Sequence, residues 1–339
     1  MSGGGLPARV AALAVGIAVA VLLAEAVIRI SNVDERYLAR YVYRAASDVE
    51  CHEPVDDPEL IFRLKPGLHA TGGYPISINR HRARGPERDA VRPLGTLRVV
   101  TVGGSNVYGA DVRDDETWPA RLEGALRARG VAAEVWNFGT SAYVPTQDVA
   151  IAREGVATLD PDIILMTLSN TGAPAFLQGA PVGPLVSRHP QLWFDLVVHD
   201  RFASWPPGPH SWHLGLVAHS RLWRFAMLAM GDLAGDRQKA IKDPIWERRN
   251  VESFRRFVAE PQRARVAVLL TPAIDPRMYD AYTHLIDVPV FHLRAEGLPP
   301  EYREIHPPAH VLAWYGERIA ERLIGAGMAE VSKEVNGAK

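Results

Sequence analysis

Ser105 and His306 are the two residues in this chain best suited to do chemistry together. Ser105 follows Gly103-Gly104, which close the apolar run Leu97-Arg98-Val99-Val100-Thr101-Val102. This pattern predicts a strand that delivers an isolated hydroxyl at its carboxyl end. The glycines allow tight backbone geometry there and close access for a substrate. Ligands of open α/β sheets bind at those ends. His306 precedes Pro307-Pro308 and the closing helical pattern. A hydrolytic serine needs a base for its proton and donors for the oxyanion that forms. Ser105 can be the nucleophile and His306 the base. The backbone N–H groups of Ser105 and Gly139, with the side-chain amide of Asn170, can be the donors. Each has a plainer reading. Ser105 could be a turn residue, Gly139 a turn glycine at positive φ, Asn170 a helix N-cap and His306 a surface histidine. Their joint placement on one rim is the arrangement acyl transfer requires.

The elements that must position them read as alternating strands and helices. Leu97–Val102, Val131–Phe138, Asp162–Leu168, Arg265–Leu270 and Val288–Leu293 read as strands. Asp115–Arg129, Thr146–Leu159, Ile245–Ala259 and Leu312–Ile324 have helical spacing. This alternation predicts an α/β fold: a parallel sheet with helices on both faces, in three layers. Residues 31–95, interrupted by Pro58, Pro66, Pro75, Pro86 and Pro93 among others, read as a connecting segment with a short strand near 75–79. Residues 171–250, rich in Pro, Trp and His, read as a cap-like insertion with a helix at Leu222–Leu233, and 326–339 as a frayed tail.

The four segments around Ser105, Gly139, Asn170 and His306, in that order, resemble the blocks of the SGNH (GDSL-type) hydrolase family. The resemblance covers Leu97 to Leu323. Val107-Tyr108-Gly109-Ala110-Asp111-Val112 and Asp115-Glu116-Thr117-Trp118-Pro119 resemble a membrane-anchored branch of that family. So do Leu159-Asp160-Pro161-Asp162, Leu64-Lys65-Pro66-Gly67 and Arg84-Gly85. The resemblance implies a flavodoxin-like sheet and serine-dependent ester cleavage. It also exposes departures. The first block has Gly104 where the family has aspartate, and the third has Thr171 where an aspartate follows the asparagine. The position three before the histidine, an aspartate in the family, is Arg303. A carboxylate normally orients the imidazole and stabilises its charged form. Glu304 is the nearest in sequence and is expected to serve; the alternative is a Ser105–His306 dyad completed by a backbone carbonyl.

The bulk numbers set limits. The chain has 339 residues, 47% hydrophobic, with a formal net charge of −1, so nothing in its charge suggests nucleic acid as a partner. One cysteine, Cys51, excludes an intrachain disulfide and a cysteine-rich zinc site. His210, His213 and His219 have no carboxylate in register, and no metal or other cofactor is expected. Trp193, Trp205, Trp212 and Trp223 read as cap core or as the lining of an acyl or glycan site. Residues 8–30 read as a transmembrane signal-anchor, with a cleaved signal peptide as the competing reading; either puts the body outside the cytoplasm. The leading function is an esterase acting on an acyl ester. The alternatives are an O-acyltransferase for a cell-envelope glycan or lipid, and a non-catalytic binding or assembly protein on a degenerate scaffold.

Overall fold

The structure is a computed structural model that describes residues 5–34, 51–71, 73–168, 188–190, 211–234, 239–261, 263–273, 280–284 and 287–330. The chain forms two units. One combines Met1–Arg44 with Phe176–Lys242, and the other Ala45–Ala175 with Asp243–Lys339.

In the first unit, α1 spans Gly5–Ser31. Its apolar side chains are exposed, and it is long and apolar enough to cross a membrane; a signal sequence would have the same character. Two later helices, numbered below in chain order, belong to the same unit.

The second unit begins with two antiparallel pairs. β1 (His52–Pro54) pairs with β2 (Phe62–Leu64), and β3 (Gly67–Thr71) with β4 (Tyr74–Ile78). The central strand β5 (Leu97–Gly103) is buried at every position. A strand buried on both faces needs cover on both, which a parallel sheet between helix layers provides. β5 leads into the one-turn helix α2 (Ser105–Tyr108). Next come α3 (Trp118–Ala128), β6 (Ala133–Asn137), α4 (Pro145–Leu159) and β7 (Ile163–Thr167).

The first unit then takes α5 (Ser211–His219) and α6 (Arg221–Ala234). The carboxylate of Glu25 in α1 accepts from Ser220 Oγ and from the N–H groups of Arg221 and Leu222, at 2.9, 3.0 and 2.8 Å. It thereby caps the start of α6, where free N–H groups favour an anion. Trp212 and Trp223 meet edge to face at 6.0 Å. Trp193 and Trp205 lie outside the described residues.

The chain continues with α7 (Lys239–Ala259), β8 (Arg265–Leu270), α8 (Asp280–Thr283), β9 (Val290–His292) and α9 (Ala309–Gly325). The sheet order is β6-β5-β7-β8-β9, all parallel. In chain order this is the doubly wound 2-1-3-4-5 arrangement. Alternate residues divide the two faces. Leu97, Val99, Ile163 and Leu165 pack with Leu122 of α3 and Tyr315 of α9. On the other face Gly155 of α4 approaches Val100, and Arg153 of α4 lies over Phe257 of α7. The parallel sheet with helices on both faces thus matches the expected fold class.

Some boundaries differ for physical reasons. Thr117 Oγ1 accepts from Ala120 N–H, and Pro119 sits in the first turn, so α3 starts at Trp118; Asp114–Glu116 forms a separate 3-10 turn. Pro289 has no N–H for the sheet, and β9 begins after it as an edge strand. Residues 51–95 are built into the α/β unit rather than merely connecting to it. Arg84 N–H donates to the Asn137 carbonyl at the end of β6, and Tyr143 Oη donates to the Phe62 carbonyl.

Candidate active site

Three described chain segments, those of Ser105, Gly139 and His306, follow strands of a sheet whose five strands run in one direction. The first is the turn after β5. Gly103 has φ +153, and a Cβ there would meet the Thr167 carbonyl oxygen of β7 at 2.7 Å and the Val107 side chain at 2.5 Å. Only glycine fits between neighbouring strand and helix at that point. Gly104 is extended, and Ser105 opens α2, half-buried. The Ser105 N–H, in the first turn, has no partner among the described residues.

His306 arrives from the far edge of the sheet. After β9 a 3-10 turn at Pro300–Arg303 leads to an extended stretch that ends at α9. The Tyr302 carbonyl accepts from Tyr315 Oη at 3.1 Å, and the Ile305 carbonyl from Asn106 Nδ2 at 3.2 Å. Asn106, adjacent to the serine, therefore holds the backbone adjacent to the histidine. The result is His306 Nε2 at 2.8 Å from Ser105 Oγ, across 201 residues of sequence. His306 is exposed, so the pair is open to solvent.

Glu304, expected to orient the imidazole, makes no hydrogen bond or ion pair with it among the described residues. It is exposed, and its own N–H donates to the Glu301 carbonyl. Arg303 turns to the Ala295 carbonyl at 2.8 Å. The carboxylate beside the histidine comes instead from Asp111, whose Oδ2 lies 3.7 Å from His306 Nδ1. Sequence reading passed over Asp111 within the Val107–Val112 motif. The available signal was an acidic residue six positions beyond the serine, in a turn that contains glycine.

Arg84 was also passed over as more than a motif residue. Its guanidinium is buried and donates to the carbonyls of Tyr108, Gly109 and Val112 and to Asp114 Oδ1. It also lies 4.7 Å over the Tyr108 ring. One side chain thus satisfies the carbonyls of the whole turn that follows α2.

Gly139 sits where expected, after β6, but its N–H is already donated to Asn137 Oδ1 at 2.9 Å. Its φ is not positive. The geometry requires glycine for another reason: a Cβ would lie 2.1 Å from Tyr108 N and 2.5 Å from Val107 C. Asn170 lies outside the described residues.

Two further ionisable groups of this unit are buried. Asp148, in the first turn of α4, is buried with neither carboxylate oxygen bonded among the described residues; burial pushes its carboxyl well above the usual range. Burial, reinforced by the charge of His69, holds the His52 imidazole down at about 3.

No family model and no curated protein matches the chain. Solved structures do. One is a protein of Desulfitobacterium hafniense DCB-2 described as lipolytic and of the G-D-S-L family: 13% identity, TM-score 0.34, 66% of this chain and 98% of that one. Another is an aryl esterase of M. smegmatis: 14% identity, TM-score 0.34, 68% and 99%. A third is the psychrotrophic esterase EstA of Pseudoalteromonas sp.: 11% identity, TM-score 0.32, 68% and 97%.

Proposed function

We propose that this protein is a serine esterase of the SGNH type that cleaves acyl esters through an acyl-Ser105 intermediate. The observation that carries the reading is the 2.8 Å approach of His306 Nε2 to Ser105 Oγ at the carboxyl rim of a parallel sheet. His306 takes the Ser105 proton as Oγ attacks the ester carbonyl. The oxyanion that forms is held by the Ser105 N–H and by the Asn170 amide, with Gly139 contributing once its N–H leaves Asn137. Collapse expels the alcohol, which receives the proton from His306. Water then attacks the acyl-serine with His306 again as base, and the acid leaves.

In this reading α1 tethers the catalytic unit to a membrane, with the body outside the cytoplasm. The tether favours one second reading, acyl transfer to an envelope glycan or lipid, in which a sugar or lipid hydroxyl replaces water at the same atoms.

The test uses the full chain in detergent with a fluorophosphonate probe, read by intact mass and peptide mapping, and p-nitrophenyl acetate as substrate. The expected result is stoichiometric labelling at Ser105, abolished in Ser105→Ala, and slowed at least about 10²-fold in His306→Ala. A folded sample that neither labels nor hydrolyses would refute the esterase and favour a non-catalytic scaffold.

A further inference from the structure

We infer that Asp111 is the carboxylate that orients His306, a positioning residue supplied by the turn behind the nucleophile rather than by the segment before the histidine. The inference rests on the esterase reading above. With Nε2 engaged by Ser105, Nδ1 is the imidazole's remaining nitrogen, and Asp111 Oδ2 is the acceptor it meets. Among the described residues the groups beside the ring are Ser105 from α2 and Asp111 from the following turn. On the histidine's own segment, Arg303 is committed to the Ala295 carbonyl, and among the described residues Glu304 makes no hydrogen bond or ion pair with the ring.

The backbone gives an independent reason. Asp111 has φ +63, in the left-handed region that non-glycine residues avoid and aspartate tolerates better than most. Such conformations persist where surrounding structure over-determines them, and they cluster at functional sites. Here the over-determination is visible. Arg84 binds the carbonyls of Gly109 and Val112, on either side of Ala110-Asp111, and anchors to Asp114. Gly109, at φ +84, starts the same turn. A buried cation thus holds a strained turn whose tip presents a carboxylate to the histidine.

In this role Asp111 Oδ2 accepts the Nδ1 proton, which leaves the Nε2 lone pair toward Ser105. When Nε2 takes the serine proton, the imidazolium charge faces the carboxylate. The separation is 3.7 Å, and catalytic contacts of this kind commonly tighten when substrate binds.

The left-handed backbone supplies a test that separates positioning from structure. Asp111→Gly removes the carboxylate and relieves the strained φ together. We expect kcat for p-nitrophenyl acetate to fall about tenfold or more with KM little changed, while the melting temperature stays level or rises. A purely structural role would move activity and stability in the same direction. Asp111→Asn should show the same kcat loss, Asp111→Glu should recover part of it, and Glu304→Gln should match the parent. If the parent labels at Ser105 but Asp111→Gly and Asp111→Asn keep kcat within about twofold, the inference is wrong and the esterase reading stands. If the parent does not label, it is the esterase reading that fails.

Discussion

Replacing Gly139 by alanine should disable the proposed site by displacement alone. The added Cβ would lie 2.1 Å from Tyr108 N, 2.5 Å from Val107 C and 2.7 Å from Tyr108 Cα, against an ordinary contact of at least 3.4 Å. Relief at the nearest atom needs about 1.3 Å of movement. The obstructing atoms are backbone, so no side-chain rotation can provide it. The loop carrying residue 139 is pinned on both sides: Phe138 N–H donates to Thr101 O, Thr140 N–H to Gly103 O, and Asn137 O accepts from Arg84 N–H. The obstructing atoms belong to α2, and α2 begins at Ser105. A misplacement of 1 Å between reacting groups costs about 10²-fold in rate. The expectation is a kcat on p-nitrophenyl acetate lowered about 10²-fold, with overpacking that destabilises the fold by about 1–3 kcal/mol. Turnover and thermal melting of the full chain in detergent measure both. Alanine keeps the N–H of residue 139, so loss of a hydrogen-bond donor cannot account for the effect. A variant with parental kcat and melting temperature would show that α2 does not lie against Gly139 as described, and would refute the reasoning.

Two further predictions concern pH. Burial raises the folded-state pKa of Asp148, so folding favours its protonated form; that contribution is present at pH values below the unfolded pKa near 3.8 and is lost as pH rises through the folded one. Asp148→Asn should therefore stabilise the protein at pH 7 by about 1–3 kcal/mol, and a urea midpoint no higher than the parent's would contradict this. His52 is the opposite case. Its folded pKa of about 3 lies below the unfolded 6.5, so stability falls as pH drops from 6.5 toward 3, at up to about 1.4 kcal/mol per pH unit. His52→Phe, which keeps a ring against Phe62 at a site where neither imidazole nitrogen is bonded, should flatten urea-melt stability across that window. An unchanged slope would show that the ring is not buried neutral.

What the sequence made legible follows from what local pattern encodes. Continuous apolar runs such as Leu97–Val102 and Asp162–Leu168 announce strands buried on both faces, and their alternation with helical spacing fixes a parallel sheet. Once the sheet is parallel, residues that follow strands must share a rim, so Ser105 could be assigned to the same edge as Gly139 without coordinates. Boundaries were less legible, because Thr117 and Pro119 decide the start of α3 through a cap and not through hydrophobic period.

The histidine's carboxylate was hidden for a different reason. Reading along the chain ranks candidates by closeness in sequence, which favours Glu304, but closeness along the chain does not decide which carboxylate the ring meets, and the one it meets is Asp111. Asp111 reaches His306 only because a left-handed turn redirects the chain, and that turn stands on Arg84, some 27 positions upstream by numbering, in a segment that reads as a connector. A buried arginine that satisfies three carbonyls leaves no periodic trace in a sequence. Its signal is chemical: an arginine beside a glycine in an otherwise irregular stretch, with aspartates and glycines clustered just after the serine. Folding residues 51–95 into the α/β unit is therefore part of building the proposed site. Loss of the Arg84 clamp should reach His306 through Asp111, even though Arg84 touches neither the serine nor the histidine.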